Sequence, residues 1–152
     1  MKTRRDFFRS VSTYVVLLKM GLLFPLKVFA QWPKAAFEKE THTEVLKELF
    51  GERSIKKTDK IVIDMPSAAE NGAIVPVTIK TDIDNVKTIS LLAEKNPIAL
   101  LAQFSFQGKG RGDFIRTRIK LAKSSNLFVV VETHDQICIN QKHIEVLKGG
   151  CD

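Results

Sequence analysis

Two cysteines and three histidines carry most of the chemistry this chain of 152 residues could perform. Cys151 is the penultimate residue and follows Gly149-Gly150. A cysteine there cannot belong to a core, and two glycines ahead of it stop regular structure and add no side-chain bulk. The pattern predicts a thiol on a thin arm, Gly149 to Asp152, spanning about 13 Å when extended. The thiolate is the reactive form of cysteine. Lys148 favours ionisation modestly, whereas Asp152 and the terminal carboxylate oppose it. Activation of the thiol therefore falls to a partner.

Cys138 lies between Ile137 and Ile139 in a strand-like run. It reads as a small buried hydrophobe. A Cys138–Cys151 disulfide, a covalent dimer through Cys151, and a frayed terminus are the alternatives for the tail. Neither cysteine sits in a Cys-x-x-Cys pair, so no redox or zinc motif is signalled. His134 and His143 flank Cys138, but their spacing is not that of a zinc site, and His42 reads as a solvated helix residue. No metal site, no cofactor and no catalytic set of side chains is expected. Arg111-Gly112-Asp113 matches an adhesive tripeptide, yet glycine and aspartate belong in a turn for backbone reasons alone.

The formal charge of +7 is concentrated at the start of the chain. Lys2, Arg4, Arg5, Arg9, Lys19 and Lys27 face one acid, Asp6, in residues 1–30. The remainder carries 18 basic and 16 acidic residues, a near-neutral body that argues against a nucleic-acid footprint. Arg4-Arg5 ahead of Phe7-Phe8 resembles a twin-arginine export signal. The apolar stretch Val11–Phe24 is short and interrupted for a membrane span. Val28-Phe29-Ala30 supplies a small-residue cleavage site. Residues 1–30 are thus expected to be a removed signal, leaving a periplasmic protein with no stable membrane association. An uncleaved anchor or an ordinary helix is the alternative.

Behind the leader, Pro33 and the apolar spacing of Phe37, Val45, Leu46, Leu49 and Phe50 predict an amphipathic helix over 33–50, stopped by Gly51. Residues 52–60 read as a polar connector. A β-sandwich over 60–147 follows, in about seven short strands. Pro76 marks an edge strand or a bulge. Glu70-Asn71-Gly72 reads as a turn, and 108–113 as a glycine-rich hairpin loop. Ile115, Thr117, Ile119 and Leu121 alternate with Arg116, Arg118 and Lys120. Residues 148–152 form the arm, with Gly149 and Gly150 lending it flexibility.

Five segments in order resemble the SoxY sulfur-carrier family. They are the twin-arginine leader; Ala69-Glu70-Asn71-Gly72 leading into Val75-Pro76-Val77; Lys95-Asn96-Pro97 followed by Ala102-Gln103-Phe104; Thr117–Ala122; and Val146-Leu147-Lys148-Gly149-Gly150-Cys151. The resemblance covers nearly all of the chain. It implies an all-β, immunoglobulin-like sandwich that is a covalent carrier and not an enzyme. Cys151 takes the substrate-carrying position, holding thiosulfate-derived intermediates. It further implies a heterodimer with a SoxZ-like subunit. A c-type cytochrome and a manganese-dependent hydrolase are the implied transient partners. The family tail is typically Gly-Gly-Cys-Gly-Gly, whereas here Cys151 is followed by Asp152.

Overall fold

The computed structural model describes residues 33–106 and 114–150. The leader, the glycine-rich segment 107–113, and the pair Cys151-Asp152 lie outside the described residues. The described residues contain two helices and nine strands.

The single helix expected over 33–50 is two helices, α1 (Lys34–Phe37) and α2 (His42–Phe50). The break has a local cause. Thr41 is extended, and its hydroxyl accepts the Glu44 N–H at 3.3 Å. The Glu44 carboxylate in turn accepts the Thr41 N–H at 3.3 Å. This reciprocal pair starts a new helix and satisfies donors that would otherwise be orphaned. Gly51, at φ +61°, ends α2 as expected, and its N–H donates to Lys47 O at 2.8 Å.

The strands are β1 (Ile55–Lys57), β2 (Ile61–Asp64), β3 (Ala68–Asn71), β4 (Val75–Thr81), β5 (Thr88–Ala93), β6 (Leu100–Ser105), β7 (Phe114–Ile119), β8 (Ser125–Glu132) and β9 (Ile137–Lys148). One sheet runs β1-β9-β8-β5-β6, with β3 added to the far end of β9. The second runs β2-β4-β7. Ile61, Val75, Val77 and Ile79 of the smaller sheet pack against Ile89, Leu91, Leu127, Val129, Val131 and Ile144 of the larger one. The opposite face of the larger sheet buries Leu92, Phe128, Val130 and Ile137 against Ala36, Val45 and Phe50 of the helical segment. Strands β5 and β8 are thereby covered on both faces. That explains why Leu127–Val131 is continuously apolar while β7 alternates. Glu132, at the end of β8, closes the sheet polarly. Its carboxylate accepts hydrogen bonds from Arg53 at 2.8 Å and Thr88 at 3.1 Å, and Lys87 lies 3.5 Å away.

Four expectations are corrected. Strand β1 lies inside the connector expected over 52–60, and β3 takes in most of the expected turn at 70–72. Both are short and polar, and both are strands because each pairs in parallel with β9. Pro76 is in the middle strand of its sheet. However, β2 pairs only with Thr78–Thr81, so Pro76 faces a partner on the β7 side alone and is locally at an edge. Finally, β6 and β7 belong to different sheets and do not pair, so they are not the two arms of the hairpin expected around 108–113, whose own residues lie outside the described ones.

Candidate functional site

Strand β9 is twelve residues long, and its two ends have different surroundings. At its start, Cys138 stands in register with Val131 and Lys56, and is 5% exposed within the core between the sheets. At its end, Lys148 pairs with Asn71 of β3, and Gly149 and Gly150 follow.

Those two glycines run against backbone from two other parts of the chain. The Gly72 N–H donates to Lys148 O at 2.8 Å, and Gly72 O accepts the Leu121 N–H at 2.8 Å. Leu121 O accepts the Gly150 N–H at 3.0 Å. Asn71 Oδ1 accepts the Ala73 N–H at 2.8 Å, which shapes the bend at Gly72. The segments approach so closely that three positions have no room for a side chain. A Cβ on Gly72 would press on Leu121 O and lie 2.9 Å from Val146 Cγ1. A Cβ on Gly149 would lie 2.5 Å from Ala122 O, and one on Gly150 would overlap the Gly72–Ala73 backbone. Glycine is therefore required here by close approach, a reason separate from the conformational freedom expected of Gly149 and Gly150. Cys151 is the next residue along the chain. Lys120 and Lys123, on either side of Leu121-Ala122, are exposed, as is Lys148. Sequence reasoning named Lys148 alone as a neighbouring cation, because the other two are brought in by the fold.

The remaining candidates do not converge on this end. From Cys138 to Lys148 the strand covers about 33 Å at ~3.3 Å per residue. A disulfide needs Cα atoms within about 7 Å. With Gly150 held at Leu121, Cys151 cannot reach Cys138, and the bridge considered from sequence is incompatible with this fold. Cys138 and His143 are five residues apart on one strand, which places them on opposite faces about 17 Å apart. His143 Nδ1 pairs instead with Asn126 Oδ1 at 3.1 Å, and His134 lies beyond the end of β8. Among the described residues, no three His, Cys, Asp or Glu side chains are grouped as metal ligands would be. His42, expected to be solvated, is half-buried and stacks on Phe128 with ring centroids 4.6 Å apart. It borders a cleft of about 390 Å³ with Leu46, Lys57, Phe128 and Ile139, which shares no residue with the glycine site. No helix among the described residues is long and apolar enough to cross a membrane.

Comparison with known proteins bears on this arrangement. The family model of the sulfur oxidation protein SoxY matches residues 46–151, which includes Gly149, Gly150 and Cys151. The structure of the sulfur carrier protein SoxY from Chlorobium limicola f thiosulfatophilum is similar at a TM-score of 0.62 and 30% identity, over 68% of this chain and 94% of that one. A superoxide reductase (neelaredoxin) from Ignicoccus hospitalis is similar at a TM-score of 0.53 and 16% identity, over 60% of this chain and 94% of that one. That likeness concerns the fold alone. No curated protein sequence matches the chain. With a family model covering well over half of its length, and the same sandwich in a solved member, the chain belongs to the SoxY family of sulfur-oxidation proteins.

Proposed function

We propose that this protein is a periplasmic sulfur carrier in which Cys151 holds thiosulfate-derived intermediates covalently and presents them to the enzymes of sulfur oxidation. The observation that supports the reading most directly is the family match, which runs through Gly149-Gly150-Cys151. The solved relative is itself described as a sulfur carrier protein. The geometry is compatible with carriage: Gly150 is anchored at Leu121, and Lys120, Lys123 and Lys148, which flank these positions along the chain, are exposed. Cationic surroundings suit an anionic cargo such as a sulfonate.

The chemistry is one of loading and unloading by others. The Cys151 thiol and thiosulfate form a sulfur–sulfur bond, releasing one proton and two electrons, and a c-type cytochrome accepts the electrons. Water then cleaves the terminal sulfonate as sulfate at a manganese-dependent hydrolase, leaving a persulfide on Cys151. The carrier supplies the attachment atom and the reach. A SoxZ-like subunit is its constant partner in a heterodimer. The leader, with Arg4-Arg5, takes the chain out by the twin-arginine route and is removed after Ala30.

Intact-mass analysis of the protein from the periplasmic fraction of thiosulfate-grown cells tests these statements together. The expected species begins at Gln31 and carries sulfur or thiosulfonate adducts that a reductant removes. Cys151→Ser eliminates the adducts and thiosulfate oxidation together. A protein whose Cys151 is never modified, with unchanged oxidation in the serine variant, would end the proposal.

A further inference from the structure

Asn96 lies in the connection between β5 and β6 and is 8% exposed. A buried carboxamide needs its donors and its acceptor matched. Asn96 meets both needs on one short piece of backbone. Its Nδ2 donates to Lys120 O at 2.8 Å, and its Oδ1 accepts the Ala122 N–H at 2.8 Å. The assignment of the amide is unambiguous, because a carbonyl only accepts and an N–H only donates. Bonding residues 120 and 122 from one side is what a neighbouring strand would do. The intervening Leu121 bonds to the other side, to Gly72 through its N–H and to Gly150 through its carbonyl. Lys120–Ala122 thus continues as an extended strap past the end of β7, held on one side by a single side chain.

From this arrangement we infer that Asn96 is the positioning residue of the carrier arm. It holds the strap that presents Leu121 O to Gly150, so the tail leaves the domain at Gly150 and not at Lys148. The inference rests on Cys151 being the carrying thiol. In the docked state the free segment starts two residues later than it would at the end of β9, about 7 Å less of reach. The anchor is one hydrogen bond supported by close backbone packing. A hydrogen bond of this kind shifts an equilibrium by about fivefold. The arm is therefore docked for most of the time, yet a partner enzyme can draw it out at little cost.

Amide exchange at Gly150, read by NMR on the 15N-labelled full chain, tests the assignment. Exchange at Gly150 is expected to be slowed about fivefold relative to an unstructured peptide. Asn96→Ala should return it to the peptide rate while the Gly72 amide, bonded to Lys148, stays protected. Asn96→Asp keeps the acceptor for Ala122 and loses the donor for Lys120, and should fall between. Modification of Cys151 by a bulky maleimide should accelerate severalfold in parallel. If Asn96→Ala loses Gly72 protection as well, Gly150→Ala decides. Its Cβ has no room beside Gly72–Ala73, so it should release the tail and leave the domain intact. Peptide-rate exchange at Gly150 in the unaltered protein overturns the inference. So does continued Gly150 protection in a folded Asn96→Ala protein, or in Gly150→Ala at residue 150. None of these readings depends on sulfur loading. A docked arm that never carries sulfur refutes carriage alone, and a loaded arm that is never docked refutes the clasp alone.

Discussion

Replacing Gly72 by alanine is the most demanding test of the glycine site. The Gly72 backbone is not in the left-handed region, so alanine meets no conformational penalty there. At such a position the exchange would ordinarily stabilise by about 0.4–1 kcal/mol, through a less flexible unfolded chain. The space around it reverses the sign. The added methyl group would press on Leu121 O and Val146 Cγ1, and overpacking of this kind costs about 1–3 kcal/mol. To relieve it, the bend must move away from Leu121 or Lys148, weakening the two hydrogen bonds that Gly72 makes with them. Each contributes about 1 kcal/mol. The net expectation is a loss of about 2–4 kcal/mol. In a chain of 152 residues each kcal/mol lowers Tm by roughly 4 °C, so a fall of roughly 8–16 °C is expected. Thermal and urea unfolding followed by circular dichroism read this directly. Gly150→Ala is the matched comparison, because the same kind of clash at the end of the chain releases the tail without disturbing β3 or β9. Its Tm should fall by no more than about 4 °C, the cost of the one hydrogen bond lost at Leu121. A Gly72→Ala protein as stable as the parent would show that the close approach does not exist in solution.

Two further expectations concern the body of the sandwich. Burial alone would raise the pKa of Glu132, but the hydrogen bond from Arg53, the charge of Lys87, the hydroxyl of Thr88 and the charge of Arg53 outweigh it and hold the carboxyl below its ordinary value. A lowered folded-state pKa stabilises above the unfolded value, near ~4.3, and that contribution disappears as pH falls through the folded value. Glu132→Gln should therefore cost about 1–2 kcal/mol at pH 7, with the gap to the parent closing toward pH 3, and a gap independent of pH would refute the assignment. Cys138→Ser places a hydroxyl in the apolar core beside Val131 and should cost about 1–3 kcal/mol. In the same protein, Cys138 should react with a thiol reagent far more slowly under native conditions than in urea, and equal rates would contradict its burial.

Much of the sandwich was legible because burial imposes a period on sequence. Strand β7 faces core on one side and solvent on the other, and Ile115, Thr117 and Ile119 alternate with Arg116 and Arg118 accordingly. Strand β5 is covered on both faces, with Ile89, Leu91 and Ala93 toward the smaller sheet and Leu92 toward the helices. Strands β1 and β3 gave no such signal. Ile-Lys-Lys and Ala-Ala-Glu-Asn have no alternation, and they become strands only because β9 offers them an edge. The split between α1 and α2 was written in Thr41-His42-Thr43-Glu44, a capping box inside an apolar repeat that on its own runs straight through. Local chemistry there overrode periodicity.

The site divides along the same line. Gly149-Gly150-Cys151 stands out in the sequence, and the family match runs through it. Asn96 does not, because Asn-Pro reads as a turn, and nothing local tells that its carboxamide will be buried against Lys120 and Ala122. The glycine pair was legible in identity but not in reason. A glycine's missing side chain is equally suited to a free arm and to a crevice with no room. The deciding atoms, on Gly72 and Leu121, come from distant parts of the sequence. The two uses are compatible, and together they account for the pair better than either alone. When the arm is docked, Gly149 and Gly150 are the residues that fit beneath Ala122 and beside Ala73. When it is drawn out, the same residues leave the chain its widest choice of conformations, which offsets the hydrogen bond lost at Leu121. An alanine in place of Gly150 would weaken the docked state by its clash and the free state by its stiffness. A carrier that must alternate between the two is served by glycine in both.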